Sequence, residues 1–168
     1  MAITLISTVT VGAGGATQIE FTNVPQTFTD LLIVTSLRDG SLYSDQYVAM
    51  NGDVESSIRR LIGSGSAASS NTTSIHLRGD FAAQTANTFG NAQIYIANYT
   101  ATGAKSVSID YVNENNATAA EQGLTALKSI TTSPITTVGV GYNGTLQQYS
   151  SATLYGISKS GATGATVA

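Results

Sequence analysis

The sequence predicts an all-β chain, an antiparallel β-sandwich of jelly-roll type. Three observations predict it. Ser and Thr make up about a quarter of the residues, apolar and polar residues alternate in run after run, and clusters of Gly, Asn and Asp separate those runs at short intervals. Branched side chains sit well on a pleated surface, and the clusters supply the backbone freedom that turns need. Many short strands with such punctuation are the sequence form of a sandwich or jelly roll.

Met1 to Val11 opens the chain with Ile3, Leu5, Ser7, Val9 and Val11 on one side and Thr4, Ile6, Thr8 and Thr10 on the other. This is a strand pattern without a basic start or a continuous apolar block, so a cleaved leader is not expected. Ile19 and Phe21 alternate with Gln18, Glu20 and Thr22. Leu31 to Leu37 is apolar on both faces, which predicts a central strand covered on both sides by its own fold or by a partner. Val54, Ile58, Leu61 and Ile62 follow Asp53 at helical spacing and fit one short helix near Val54 to Ile62, with Asp53 as its cap. Ser64 to Thr73 is small and polar and reads as an exposed loop.

Ile75 and Leu77 alternate with Ser74, His76 and Arg78, Ala92 to Ile96 with Gln93 and Tyr95, and Val107 to Tyr111 with Ser106, Ser108 and Asp110. Ala117 to Lys128 is ambiguous: Ala120, Leu124 and Leu127 fit a helix that Gly123 interrupts. Val138 to Tyr142 and Ala152 to Ile157 are the last strands, and Asn143-Gly144 between them is a tight-hairpin signal. With no repeat and no linker, the chain reads as one domain, 1–168. It has an N-terminal strand or arm over 1–11 and a small, polar tail over 158–168 that would need a neighbouring chain to hold it in order.

Composition narrows function. At 168 residues and 17.2 kDa the chain can bury a full core, and only 10% of its residues are charged. A net charge of -3 with scattered Lys and Arg offers phosphates no basic field, so nucleic acid is not an expected partner. There is no cysteine, which removes thiolate metal sites and cysteine nucleophiles. No apolar run approaches the length of a membrane helix, and membrane insertion is not expected.

The motifs weigh little. Gly139, Gly141 and Gly144 match the dinucleotide fingerprint, but no helix pattern follows to receive a pyrophosphate. Arg78-Gly79-Asp80 is what a strand end followed by a glycine turn produces. Sequons begin at Asn71, Asn98, Asn116 and Asn143 in a chain rich in Asn and Thr. His76 is the sole imidazole, reads as a surface histidine, and has no nucleophile elbow to serve. Asp39, Asp45, Asp53 and Glu55 lack the ligand spacing of a calcium loop. The expectation is a protein that is not an enzyme and carries no cofactor or metal. Tyr95 and Tyr99 read as sharing one strand face, open to a subunit contact or buried, depending on how the sandwich closes.

The stretch Phe21-Thr22-Asn23-Val24-Pro25-Gln26-Thr27-Phe28-Thr29-Asp30-Leu31, followed by Arg38, resembles the opening of a group of tailed-bacteriophage virion surface proteins. Asn51-Gly52-Asp53, Leu61 to Gly65, Ile96-Ala97-Asn98-Tyr99 and Ala152 to Ile157 follow in matching order, without the tryptophan that members often carry before the last strands. The resemblance implies a structural β-sandwich on the virion surface, most simply a capsid decoration or cement protein. The alternative is a tail fibre or tail-tip module that binds a receptor or glycan. It implies no catalytic residue. Expected partners are further copies of the chain, in closed symmetry such as a trimer, capsid or tail proteins, and, in the alternative, a host-surface glycan. Candidate assembly contacts are Ile3, Leu5, Tyr95, Tyr99, Ser158 and Lys159; candidate receptor contacts are Tyr43, Tyr47 and Asn71.

Overall fold

The computed structural model describes residues 1–41, 45–54, 57–64, 67–71, 75–115 and 119–158, and for 57, 64, 67–69, 71, 115 and 119 the backbone alone. Among the described residues there is no helix, and the protein is an all-β, sandwich-like fold. The strands are β1 (Ala2–Thr10), β2 (Ala16–Phe21), β3 (Asp30–Asp39), β4 (Asp45–Met50), β5 (Asp53–Val54), β6 (Ser57–Ser64), β7 (Ala67–Asn71), β8 (Leu77–Arg78), β9 (Asp80–Phe81), β10 (Gly90–Ile96), β11 (Ser106–Asn115), β12 (Ala119–Lys128), β13 (Val138–Leu146) and β14 (Ser151–Ser158).

Eight strands form one large antiparallel sheet in the order β1-β14-β3-β10-β11-β12-β6-β7. A smaller layer, β2-β13-β4-β5, lies against it and joins it through the Leu146–Asp39 pair of β13 and β3. The strands therefore divide unequally, where two matched sheets would describe a jelly roll. Period two explains the core. Leu31, Ile33, Leu37, Ile94, Ile96, Val107, Ile109, Ala152 and Leu154 point inward from the large sheet and meet Ile19, Phe21, Val48, Met50, Val138, Val140 and Leu146 of the small one. Each such aliphatic side chain contributes about 1.5–3 kcal/mol by leaving water.

Four expectations change. Where a helix was expected near Val54 to Ile62, Val54 belongs to β5 and residues 57–62 to β6, which pairs with β12 through Ile58–Leu127, Arg60–Thr125 and Ile62–Gly123, with Arg59 and Leu61 on the other face. Its apolar residues satisfy both periods, and the ladder offered by β12 decides between them. β12 is a strand because Gly123 faces Tyr111, whose ring covers the space that a Cβ on residue 123 would occupy. Asn143-Gly144 is not a hairpin turn; it lies inside β13, at a register shift between Gly141 and Leu146, with Gly144 at a φ of 107° over the Asp39 carboxylate. The expected loop from Ser64 to Thr73 contains β7, a strand of small residues that completes a hairpin with β6.

Candidate functional site

Because β3 was predicted to be covered on both faces, its two faces are informative. The inner one carries the core. The outer one, with Leu32, Val34 and Ser36, is open. Register then fixes what lies beside it, since directly paired residues point the same way. One row runs Leu5, Tyr155, Leu32, Tyr95, Ser108, Ala126, Arg59 from β1 to β6. The next runs Thr8, Thr153, Val34, Gln93, Asp110, Leu124, Leu61, Ser70 from β1 to β7. Leu5 is 59% exposed, Leu61 56% and Leu124 50%. Between β3 and β6 this face forms a groove of about 1260 Å³ lined by Leu32, Tyr95, Asp110, Leu124, Leu61 and Arg59.

The polar members of the groove are held in place. The Tyr95 hydroxyl donates to Asp30 Oδ2 at 2.6 Å, and the Asn98 amide donates to Asp30 Oδ1 at 2.8 Å, so the buried carboxylate at the start of β3 orients the ring. That hydrogen bond, with burial and the carboxylate charge adding to it, pushes the Tyr95 phenol up to about 12. The groove carries one anion, the exposed Asp110, and two cations, the buried Arg60 and the exposed Arg59, whose guanidinium donates to the Ile58 carbonyl at 2.8 Å. Leucines, an oriented phenol and one exposed charge of each sign thus share this face.

Among the described residues the sheet ends at β1, which pairs with β14 alone. Its other edge presents nine residues without a charge or a proline, and Ile3 is exposed beside it. Of the devices that blunt an edge, lysine, proline and short length are absent here, and a register shift between Leu5 and Ser7 is present.

The candidate assembly residues separate. Ile3 and Leu5 are exposed on β1, Tyr95 stands in the groove, and Ser158 closes β14 half-buried, while Lys159 lies outside the described residues. Tyr99 is corrected: β10 ends at Ile96, the chain turns, and Tyr99 is fully buried with its hydroxyl donating to the Pro25 carbonyl. It braces the Val24-Pro25 turn and shares no face with Tyr95. Of the candidate receptor residues, Tyr47 is half-buried with its ring edge-on to His76 at 5.5 Å, and Tyr43 and the Asn71 side chain lie outside what is described.

His76 is corrected too. It is fully buried, its Nδ1 accepts the Val48 amide at 2.7 Å, and its carbonyl accepts the Thr125 hydroxyl at 2.7 Å, so it ties the small layer to β12. Arg78 turns to Asp45 at 3.2 Å and Glu121 at 2.8 Å, and Asp80 is buried and accepts the Glu114 amide. The tripeptide around Gly79 is thus built into the fold. Leu61 and Leu124 went unnoticed as surface residues because each fitted a helical spacing; reading Gln122, Leu124, Ala126 and Lys128 as one strand face would have found them.

Among the described residues no group of three His, Cys, Asp or Glu could hold a metal ion. No family model matches the chain, nor does any curated protein or solved structure.

Proposed function

We propose that the chain is a structural subunit of a tailed-bacteriophage virion, decorating or cementing the capsid, which acts by laying the open face of its large sheet against sister copies and the shell. The observation that carries the reading is the pair of register-matched rows, in which Leu5, Leu32, Val34, Leu124 and Leu61 share the uncovered face. Exposed apolar surface of this extent is characteristic of interfaces, and low charge reduces the number of ions to be stripped of water when two such faces meet. The sequence resemblance supplies the particle. Asp110 and Arg59 on the same face let two copies pair opposite charges.

The test joins two measurements. Sedimentation of the purified chain is expected to show an oligomer that Leu61→Glu with Leu124→Lys reduces to a folded monomer, since both side chains are half out of water and the new lysine stands directly between Asp110 and the new glutamate, so the replacement costs the fold less than about 1 kcal/mol. Quantitative mass spectrometry of purified particles is expected to find the chain in capsid-scale copy number. A handful of copies per particle would move it to the tail, and a wild-type monomer that ignores purified capsids would overturn the reading.

A further inference from the structure

A second cleft, of about 640 Å³, shares no lining residue with the groove, and we propose that it binds a neutral saccharide through Tyr149. Its walls are four turns: Gly14 and its neighbours between β1 and β2, Gly40 and Ser41 after β3, Asn87, and the β13–β14 connection that carries Gln148 and Tyr149.

Two tyrosines have a positive φ, Tyr142 at 70° and Tyr149 at 72°, and Tyr149 is the one that is exposed and lines the cleft. The Ser150 amide donates to the Gln147 carbonyl at 3.0 Å, and Tyr149 has a φ of 72° while Gln148 does not enter the left-handed region. That is a type II turn with tyrosine at the position that glycine favours. The fold does not recover the cost by burying the ring, which is 69% exposed. The backbone is nevertheless locked. Tyr149 N donates to the Val11 carbonyl at 2.9 Å, Val11 N to the Ser150 carbonyl at 2.8 Å, and Gln147 N to the Arg38 carbonyl at 2.8 Å. The result is an exposed aromatic ring carried by a fixed backbone in the wall of an open cleft.

The surroundings select the ligand. Sugar rings stack their C–H faces on an aromatic plane and spend their hydroxyls on polar side chains, which here are the amides of Gln148 and Asn87. Among the described residues lining the cleft none is charged, and the one carboxylate beneath it, Asp39, is buried and occupied by the Ser41 amide at 2.7 Å and the Gln46 side chain at 2.8 Å. An acidic sugar finds no cation. A proline-rich peptide needs a groove lined by several aromatic rings, and this cleft offers one. Its volume fits a small saccharide.

The inference is independent of the sheet-face reading, and its readout is binding rather than assembly. The full chain is titrated with neutral gluco-, galacto- and manno-oligosaccharides and with N-acetylglucosamine oligomers, followed by NMR or calorimetry. At least one is expected to bind with a dissociation constant in the millimolar range or tighter. Tyr149→Gly, which suits the turn, is expected to melt at the same or a higher temperature and to bind about tenfold or more weakly, while Tyr149→Trp retains binding. Absence of binding to the whole panel, undiminished binding by Tyr149→Gly, or a preference for acidic sugars or proline-rich peptides would each overturn it.

Discussion

Four described tyrosines keep their protons beyond the range of a free phenol, Tyr99 chiefly through burial and the other three each for its own reason. Tyr95 is pushed up to about 12 first by its hydrogen bond to Asp30, Tyr111 to about 12 by burial, and Tyr142 to about 12 by burial reinforced by Glu20, 3.4 Å away. The sign follows from linkage. A phenol whose folded pKa exceeds its unfolded value of about 10 binds more proton folded than unfolded, so its contribution is complete below pH 10 and is lost as pH rises through the folded value. Phenolate absorbance should therefore still be growing as pH approaches about 12, and unfolding midpoints should fall as pH climbs from about 10 to about 12. A single ionisation step near 10 in the folded protein would contradict this. Arg38 shows how far a residue's role can lie from its sequence signal. Its place after the strand at Leu31 is visible in the sequence, but its work is to tie down a loop, donating to the carbonyls of Gln84, Thr85 and Thr88 and to Gln147. Those partners are about 50 and about 110 positions away in the chain, a distance that no local pattern spans.

At the scale of elements, alternation was a good guide where one face is apolar and the other polar, as in β10 and β11. It failed in β6 and β12, whose outer faces carry Leu61 and Leu124 and so blur period two into helical spacing. Gly123 was the overlooked clue. It read as a helix interruption, whereas its physical role is to leave room for the Tyr111 ring directly across the β11–β12 pair. Gly123→Ala should accordingly destabilise the fold by about 1–3 kcal/mol, the usual cost of overpacking. Adding Tyr111→Leu should recover part of that loss, because the smaller side chain leaves space for the new methyl group. Denaturant unfolding of the two single variants and the double variant measures the coupling, and strictly additive effects would show that the ring and the glycine do not share that space.

The whole molecule was legible as an all-β sandwich because strand chemistry and turn chemistry agree along nearly its full length. Its open face was not, since which strand lies beside which is a property of long-range pairing: β14 beside β3, and β12 beside β6. Composition does bear on the forces that would hold an assembly together. With 10% charged residues, and with both ion pairs among the described residues made by Arg78, the protein has little that salt can screen. An association through Leu5, Leu32, Val34, Leu61 and Leu124 is apolar in origin, and sulfate salts strengthen apolar burial by being excluded from protein surface. Raising NaCl from ~0.1 M to ~1 M, where the screening length shrinks from about 10 Å to about 3 Å, should leave the sedimentation profile unchanged, and ammonium sulfate should shift it toward the oligomer. Dissociation by NaCl alone would instead make Asp110 and Arg59 the dominant contacts, with the leucine rows secondary to them.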